Sequence, residues 1–189
     1  SYQWYLDGAS VSGATSFSWF FTPTSSGSYT VYLNVTDDVG VVAKSNIASV
    51  TVNSQLSVFI SPSFVVMDVD QSQMFTSTVS GGTSPYSYQW YLNGSAVLGA
   101  TSQTWLFTPT SAGYYLVYLN VTDDVGMTTK SNTAQVNVNG PISVSISPTS
   151  AVIDRGQSKT FTSAISGGTS PFTYQWYLNG TVVLGATSS

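Results

Sequence analysis

The tetrapeptide Gln3-Trp4-Tyr5-Leu6 returns as Gln89-Trp90-Tyr91-Leu92 and again as Gln175-Trp176-Tyr177-Leu178, each time 86 residues later. A fixed period without insertions constrains the fold more than any local propensity does, because every copy must build the same supersecondary unit. Residues 1–53 are identical to 87–139 at 37 of 53 positions, and residues 54–103 to 140–189 at 31 of 50. The chain therefore reads as the second half of one repeat (1–53), a complete repeat (54–139) and the first half of a third (140–189). Ser1 corresponds to Ser87, inside an expected strand, so two arrangements compete. One is a window on a longer array, which we favour. The other has half-repeats of adjacent chains completing one another, which duplicates the Gln-Trp-Tyr-Leu strand at each join.

Within the complete repeat, Leu56–Ile60, Met74–Val79, Tyr88–Leu92, Gln103–Thr108, Tyr114–Thr122 and Thr133–Val138 carry strand-forming residues between turn residues. Asn93-Gly94 after the third of them is a strong hairpin signal. No segment has a helical period. Short strands with Gly, Pro and Asn punctuation predict an all-β sandwich of about seven strands per repeat. Alternation then assigns faces: Tyr115, Val117, Leu119 and Val121 point to the core, with Tyr88, Trp90 and Leu92 beside them. Tyr114, Leu116, Tyr118, Asn120 and Thr122 point outward. Trp105 and Trp19 alternate in register with Phe107 and Phe21 and are expected in the core.

Composition narrows the function. Charged residues make up only 6% of the chain, and the net charge is −4 with four Lys and Arg residues, so no basic patch exists for a phosphate backbone and nucleic acid is excluded as a partner. There is no Cys, His or Glu. Disulfides, thiolate chemistry and His-based acid–base catalysis are absent together, and no abundant Ser has a visible base to activate it. The fragment is read as not an enzyme. No apolar run approaches the roughly 20 residues needed to span a bilayer, so this segment is not expected to insert.

At Ser111-Ala112-Gly113-Tyr114-Tyr115-Leu116-Val117 the chain resembles the immunoglobulin-like superfamily, with Tyr115 in the tyrosine-corner position and Val117 where antibodies carry their second Cys. Ser25-Ser26-Gly27-Ser28-Tyr29-Thr30-Val31 repeats the pattern. Trp90, Trp4 and Trp176 resemble the buried Trp of the third strand. Gly81-Gly82-Thr83-Ser84-Pro85 and Val121-Thr122-Asp123-Asp124-Val125-Gly126 are similar to elements of PKD-type repeats in archaeal and bacterial surface proteins. The WDFGDG-like element of that family is replaced here by Gln-Trp-Tyr-Leu-Asn-Gly. The resemblance implies tandem Ig-like sandwiches and an extracellular or cell-surface location.

Three sets of residues are candidate sites. The carboxylates Asp123 and Asp124 (repeated as Asp37 and Asp38), with Asp68 and Asp70 in an early loop, are the oxygen ligands a hard cation such as Ca²⁺ would use; the competing reading is ordinary solvated turn chemistry. No other cofactor is expected. Asn34, Asn93, Asn120 and Asn179 each begin an N-x-S/T sequon, and the outward-facing Asn34 and Asn120 are the two expected to be most accessible to a glycan. Tyr91 with Tyr118, and Tyr5 with Tyr32, form a repeated outward patch that would pack against another protein, stack on a sugar, or simply stabilise its own sheet.

Together these features predict a non-catalytic structural segment of a cell-surface stalk, sheath or filament, whose partners are copies of itself. The alternatives are an adhesive, glycan-binding module and an accessory array of a larger secreted enzyme.

Overall fold

The computed structural model describes residues 1–188, and all regular structure among them is β. No helix there is long and apolar enough to cross a membrane. By packing, the chain resolves into two compact units. One comprises Ser1–Ser57 with Val79–Tyr86 and Asp123–Met127, and the other is the rest of the described chain. This division cuts across the repeat boundaries, because a loop and a turn of the middle repeat cluster with residues 1–57.

The first unit holds a five-stranded sheet of β1 (Tyr2–Leu6), β2 (Ala9–Ser10), β3 (Gly27–Thr36), β4 (Val42–Lys44) and β5 (Ala48–Val52). The middle repeat adds β6 (Ser57–Ser61), β7 (Phe64–Asp68), β8 (Gln73–Ser80), β9 (Ser87–Leu92), β10 (Ser95–Ala96), β11 (Thr104–Phe107), β12 (Gly113–Thr122), β13 (Thr128–Lys130) and β14 (Ala134–Asn139). One sheet has the order β11-β8-β6, and the other runs β10-β9-β12-β14-β7 with β13 also on β12. This is the all-β sandwich that the strand pattern predicted, with the Ig-like arrangement that the resemblance implied. The third segment contributes an antiparallel pair, β15 (Ser143–Ser147) with β16 (Thr162–Ser166), and a hairpin, β17 (Tyr177–Leu178) with β18 (Thr181–Val182).

The core of the middle repeat sits where the two sheets face each other. Trp90, Phe75, Val117, Leu119, Val121 and Val136 have essentially no exposure. Phe75 lies 6.2 Å from the Trp90 ring and 6.3 Å from the Trp105 ring, an aromatic cluster in place of a disulfide between the sheets. Trp105 itself is half-buried at the edge of that cluster, as is its counterpart Trp19. The tyrosine corner forms as expected: the Tyr115 hydroxyl donates to the Ser111 carbonyl at 2.8 Å, and Tyr29 does the same to Ser25 at 2.8 Å. Asn93 and Gly94 take φ of 50° and 85°, the positive values a two-residue hairpin of matching twist demands.

Three expectations need correction. Asp68 does not lie in a loop. It ends β7, a strand that pairs in parallel with β14 through Val65↔Val136 and Asp68↔Asn139. Before the expected last strand the structure adds an unexpected one, β13, parted from β14 because Ser131 interrupts the ladder: its Oγ accepts from Leu119 N at 3.0 Å and donates to Asn132 O at 2.6 Å. The Asn132 side chain then acts as a surrogate strand, accepting from Ile60 N at 2.8 Å and donating to Ile60 O at 3.2 Å. Third, Tyr88 and Leu92 are half-buried, and only Trp90 on that strand reaches full burial.

Candidate functional site

The outward face of β9 and β12 carries the repeated tyrosine patch. Antiparallel register sets Tyr91 directly across from Tyr118, and cross-strand neighbours at that separation bring their rings together. The rings stack at 4.7 Å between centroids with 6° between planes. Lys130 on β13 lies diagonally across and holds its Nζ 3.8 Å over the Tyr118 ring. A parallel ring and an ammonium at such distances cannot share one face, so Tyr118 is covered on both sides. Tyr5 and Tyr32 repeat the stack at 4.7 Å and 5°, with Lys44 Nζ 3.8 Å over Tyr32. All four tyrosines are half-buried. The arrangement braces its own sheet, and it leaves Tyr118 and Tyr32 no free ring face on which a sugar could stack. Tyr114 and Leu116, farther along β12, remain open at 54% and 38% exposure.

Two of the carboxylates, Asp123 and Asp37, are occupied by backbone donors. Asp123, 7% exposed, accepts from Val125 N at 3.2 Å and Met127 N at 2.8 Å through Oδ1, and from Thr83 N at 3.1 Å through Oδ2. Asp37 likewise accepts from Val39 N at 3.0 Å and Val41 N at 2.8 Å. Asp124 is exposed, with its N–H on the Thr83 carbonyl at 2.9 Å. Asp68 accepts from the Thr169 hydroxyl at 2.6 Å. Asp70 is a turn residue at φ 65° whose N–H meets Pro109 O at 2.9 Å. Among the described residues no group of three or more Asp, Glu, His or Cys is placed to hold a metal ion.

The four sequons divide into two kinds. Asn34 and Asn120 are half-buried in mid-strand, and their Oδ1 atoms are fully covered without a hydrogen-bond partner. They are less accessible than facing outward implied, since β3 and β12 are flanked by paired strands on both sides at these positions. Asn93 and Asn179 sit in exposed hairpin turns. The Asn93 Oδ1 accepts from Leu116 N at 2.9 Å.

Sequence reasoning missed Lys44 and Lys130, Thr83 and Thr169, and the Ser131-Asn132 bracket. A signal was present: Lys44-Ser45-Asn46 and Lys130-Ser131-Asn132 place two of only four cationic residues at one repeat position. The third segment also bears an open cleft of about 550 Å³, lined by Ile142, Val144, Ile146, Ile165, Phe172 and Trp176. It is the inner face of a half-sandwich, since residues 140–188 contain no counterparts of β12 and β14, which cover that face in the middle repeat.

No family model matches the chain. Its sequence is 32% identical over 111 residues to the highly immunogenic outer capsid protein of Enterobacteria phage T4, covering 54% of this chain and 30% of that protein. The chain thus spans less than a third of that curated relative's length. Among solved structures it is similar to the fibronectin(III)-like modules of Clostridium thermocellum CbhA, at 15% identity over 74% of this chain and 77% of the other, with a TM-score of 0.40. It is also similar to the N-terminal eight Ig domains of Down Syndrome Cell Adhesion Molecule, at 18% identity over 98% of this chain and 25% of the other, with a TM-score of 0.41. The architecture rests on the strand order and register described above.

Proposed function

We propose that the chain is a non-catalytic structural segment of a protein displayed on an outer surface, in which Ig-like repeats in series form a stalk, sheath or filament. The observation that carries this reading is the recurrence, every 86 residues and without insertion, of one folding unit with the same braced outward face. Length in such an array follows copy number, and each sandwich bears load independently. The likeness of half the chain to an outer capsid protein supports an outward-facing, structural setting. A surface with 6% charged residues repels its own copies weakly, which suits lateral packing between chains. Copies of the same chain are therefore the proposed partners.

Antibodies raised against the chain test this by immunogold electron microscopy of intact native material. Label on the exterior of intact cells or particles, ordered along filaments or projections, supports the proposal. Label that appears only after permeabilisation overturns it. A second reading, an adhesive module, draws on the open Tyr114 and Leu116 beside the tyrosine stack. Binding on a glycan array that is lost in Tyr114→Ala would move the assignment to adhesion.

A further inference from the structure

We infer that the junction between consecutive repeats is a closed clasp rather than a free hinge, and that the Gly-Gly-Thr loop of each repeat is a docking surface, its glycines gripping the linker and its Thr the end of the repeat before it. At the first junction, the linker after β5 passes directly over Gly81 and Gly82. The Gly82 N–H donates to Ser54 O at 2.7 Å. Gly81 has a φ of +66°, and a Cβ there would overlap the Gln55 carbonyl oxygen. A Cβ on Gly82 would lie 2.9 Å from the Leu56 side chain, which is itself only 5% exposed. Asn53 Nδ2 then donates to Thr83 Oγ1 at 2.9 Å, joining the last residue of one repeat to the loop of the next.

The second junction repeats the hydrogen bonds and the close glycine contacts. Gly168 N–H donates to Gly140 O at 2.8 Å, a Cβ on Gly167 (φ +67°) would overlap the Pro141 carbonyl oxygen, and Asn139 Nδ2 donates to Thr169 Oγ1 at 2.8 Å. Here the strand end of the preceding repeat completes the clasp: Thr169 Oγ1 donates to Asp68 Oδ1 at 2.6 Å. Asp68 and Asn139 are neighbours in the parallel β7–β14 ladder. One hydroxyl thus reads an amide donor and a carboxylate acceptor that the strand pair presents side by side.

The linkers differ in sequence, Ser54-Gln55 against Gly140-Pro141, yet their geometry is the same. The loop grips backbone carbonyls, so linker side chains are free to vary while the two glycines and the Thr are not. The inference deepens the structural reading and rests on the chain being an array, not on where the array is displayed.

The full chain has no Cys, so Ser95→Cys and Thr181→Cys place spin labels at equivalent exposed hairpin positions on either side of the second junction. Pulsed dipolar spectroscopy should give one narrow distance distribution. A freed linker of about four flexible residues has an r.m.s. span of about 10–12 Å, so Gly167→Ala, and separately Thr169→Val, should broaden that distribution about twofold or more. Asp68→Asn, which keeps a side-chain acceptor, should leave it narrow. Near-ultraviolet circular dichroism of the Trp90 core reports whether the middle repeat is still folded. If Gly167→Ala also disturbs its own segment, Thr169→Val decides. A broad distribution in the parent chain, or one that neither variant widens, overturns the clasp. A failure of the surface-display reading leaves this measurement untouched, so the two outcomes are separable.

Discussion

Phe75→Ala tests the account of the core against an internal control of identical chemistry. Phe75 is wholly buried against the rings of Trp90 and Trp105, at 6.2 and 6.3 Å, in a triangle closed by the 5.9 Å between those two rings. Its counterpart one repeat later, Phe161, is 43% exposed. Removing a fully enclosed Phe costs the transfer of its ring plus the cavity it leaves, about 3–5 kcal/mol. At Phe161 no closed cavity forms and part of the ring is already in water, so the cost is only about 1 kcal/mol. A domain of this size has on the order of 5–10 kcal/mol in total, so the first substitution removes a large share of it and the second little. With a urea slope of about 1.5 kcal/mol/M, the unfolding midpoint should fall by about 2–3 M for Phe75→Ala and by less than about 1 M for Phe161→Ala. Urea titrations followed by Trp fluorescence and near-ultraviolet circular dichroism measure both. Equal shifts would refute the argument, because they would mean that the aromatic cluster of the middle repeat is no better enclosed than the open face of the third segment.

Tyr115→Phe deletes only the hydroxyl that donates to Ser111 O, and should lower stability by about 0.5–1.5 kcal/mol in the same titration. A double-mutant cycle on Tyr118→Ala and Lys130→Ala should return a coupling of about 0.5–1 kcal/mol; additivity would show the ammonium contact to be idle. Asp123→Ala strands three backbone N–H groups and should cost about 2–4 kcal/mol, whereas millimolar Ca²⁺ added to the parent chain should not raise its melting temperature; a calcium-dependent rise would restore the cation reading. Expressed in a host that attaches N-glycans, the chain should be modified at Asn93 and Asn179 ahead of Asn34 and Asn120, as peptide mass mapping will show.

Much of the fold was legible because its causes are local. The apolar face of β12, the Asn93-Gly94 turn and the tyrosine corner depend on the period of two, on positive φ and on a hydroxyl reaching four residues back. The parallel strand β7 was less so. Phe64–Met67 is apolar, but a parallel edge strand is recognised by its partner, and that partner lies some seventy residues on. The site was legible in its residues more than in its arrangement: the Tyr pairs stood out, but their Lys cover did not. Asp123 was noticed as a possible ligand, although a carboxylate filled by three amide donors behaves as part of the backbone scaffold.

By itself the sequence determined the period, the fold class, the Asn93-Gly94 turn and the inward face of β12, since all of these follow from alternation and turn chemistry repeated at a fixed spacing. Tertiary structure alone decided which of the expected strands exist. Trp19 and Phe21 stand at the positions of Trp105 and Phe107, yet Thr104–Phe107 is a strand and residues 18–21 are not. The difference lies in the partner: β11 is held by register with β8, and residues 1–53 contain no counterpart of that strand. A strand's hydrogen bonds belong to the pair, so the same residues are ordered as β only where their neighbour is in place.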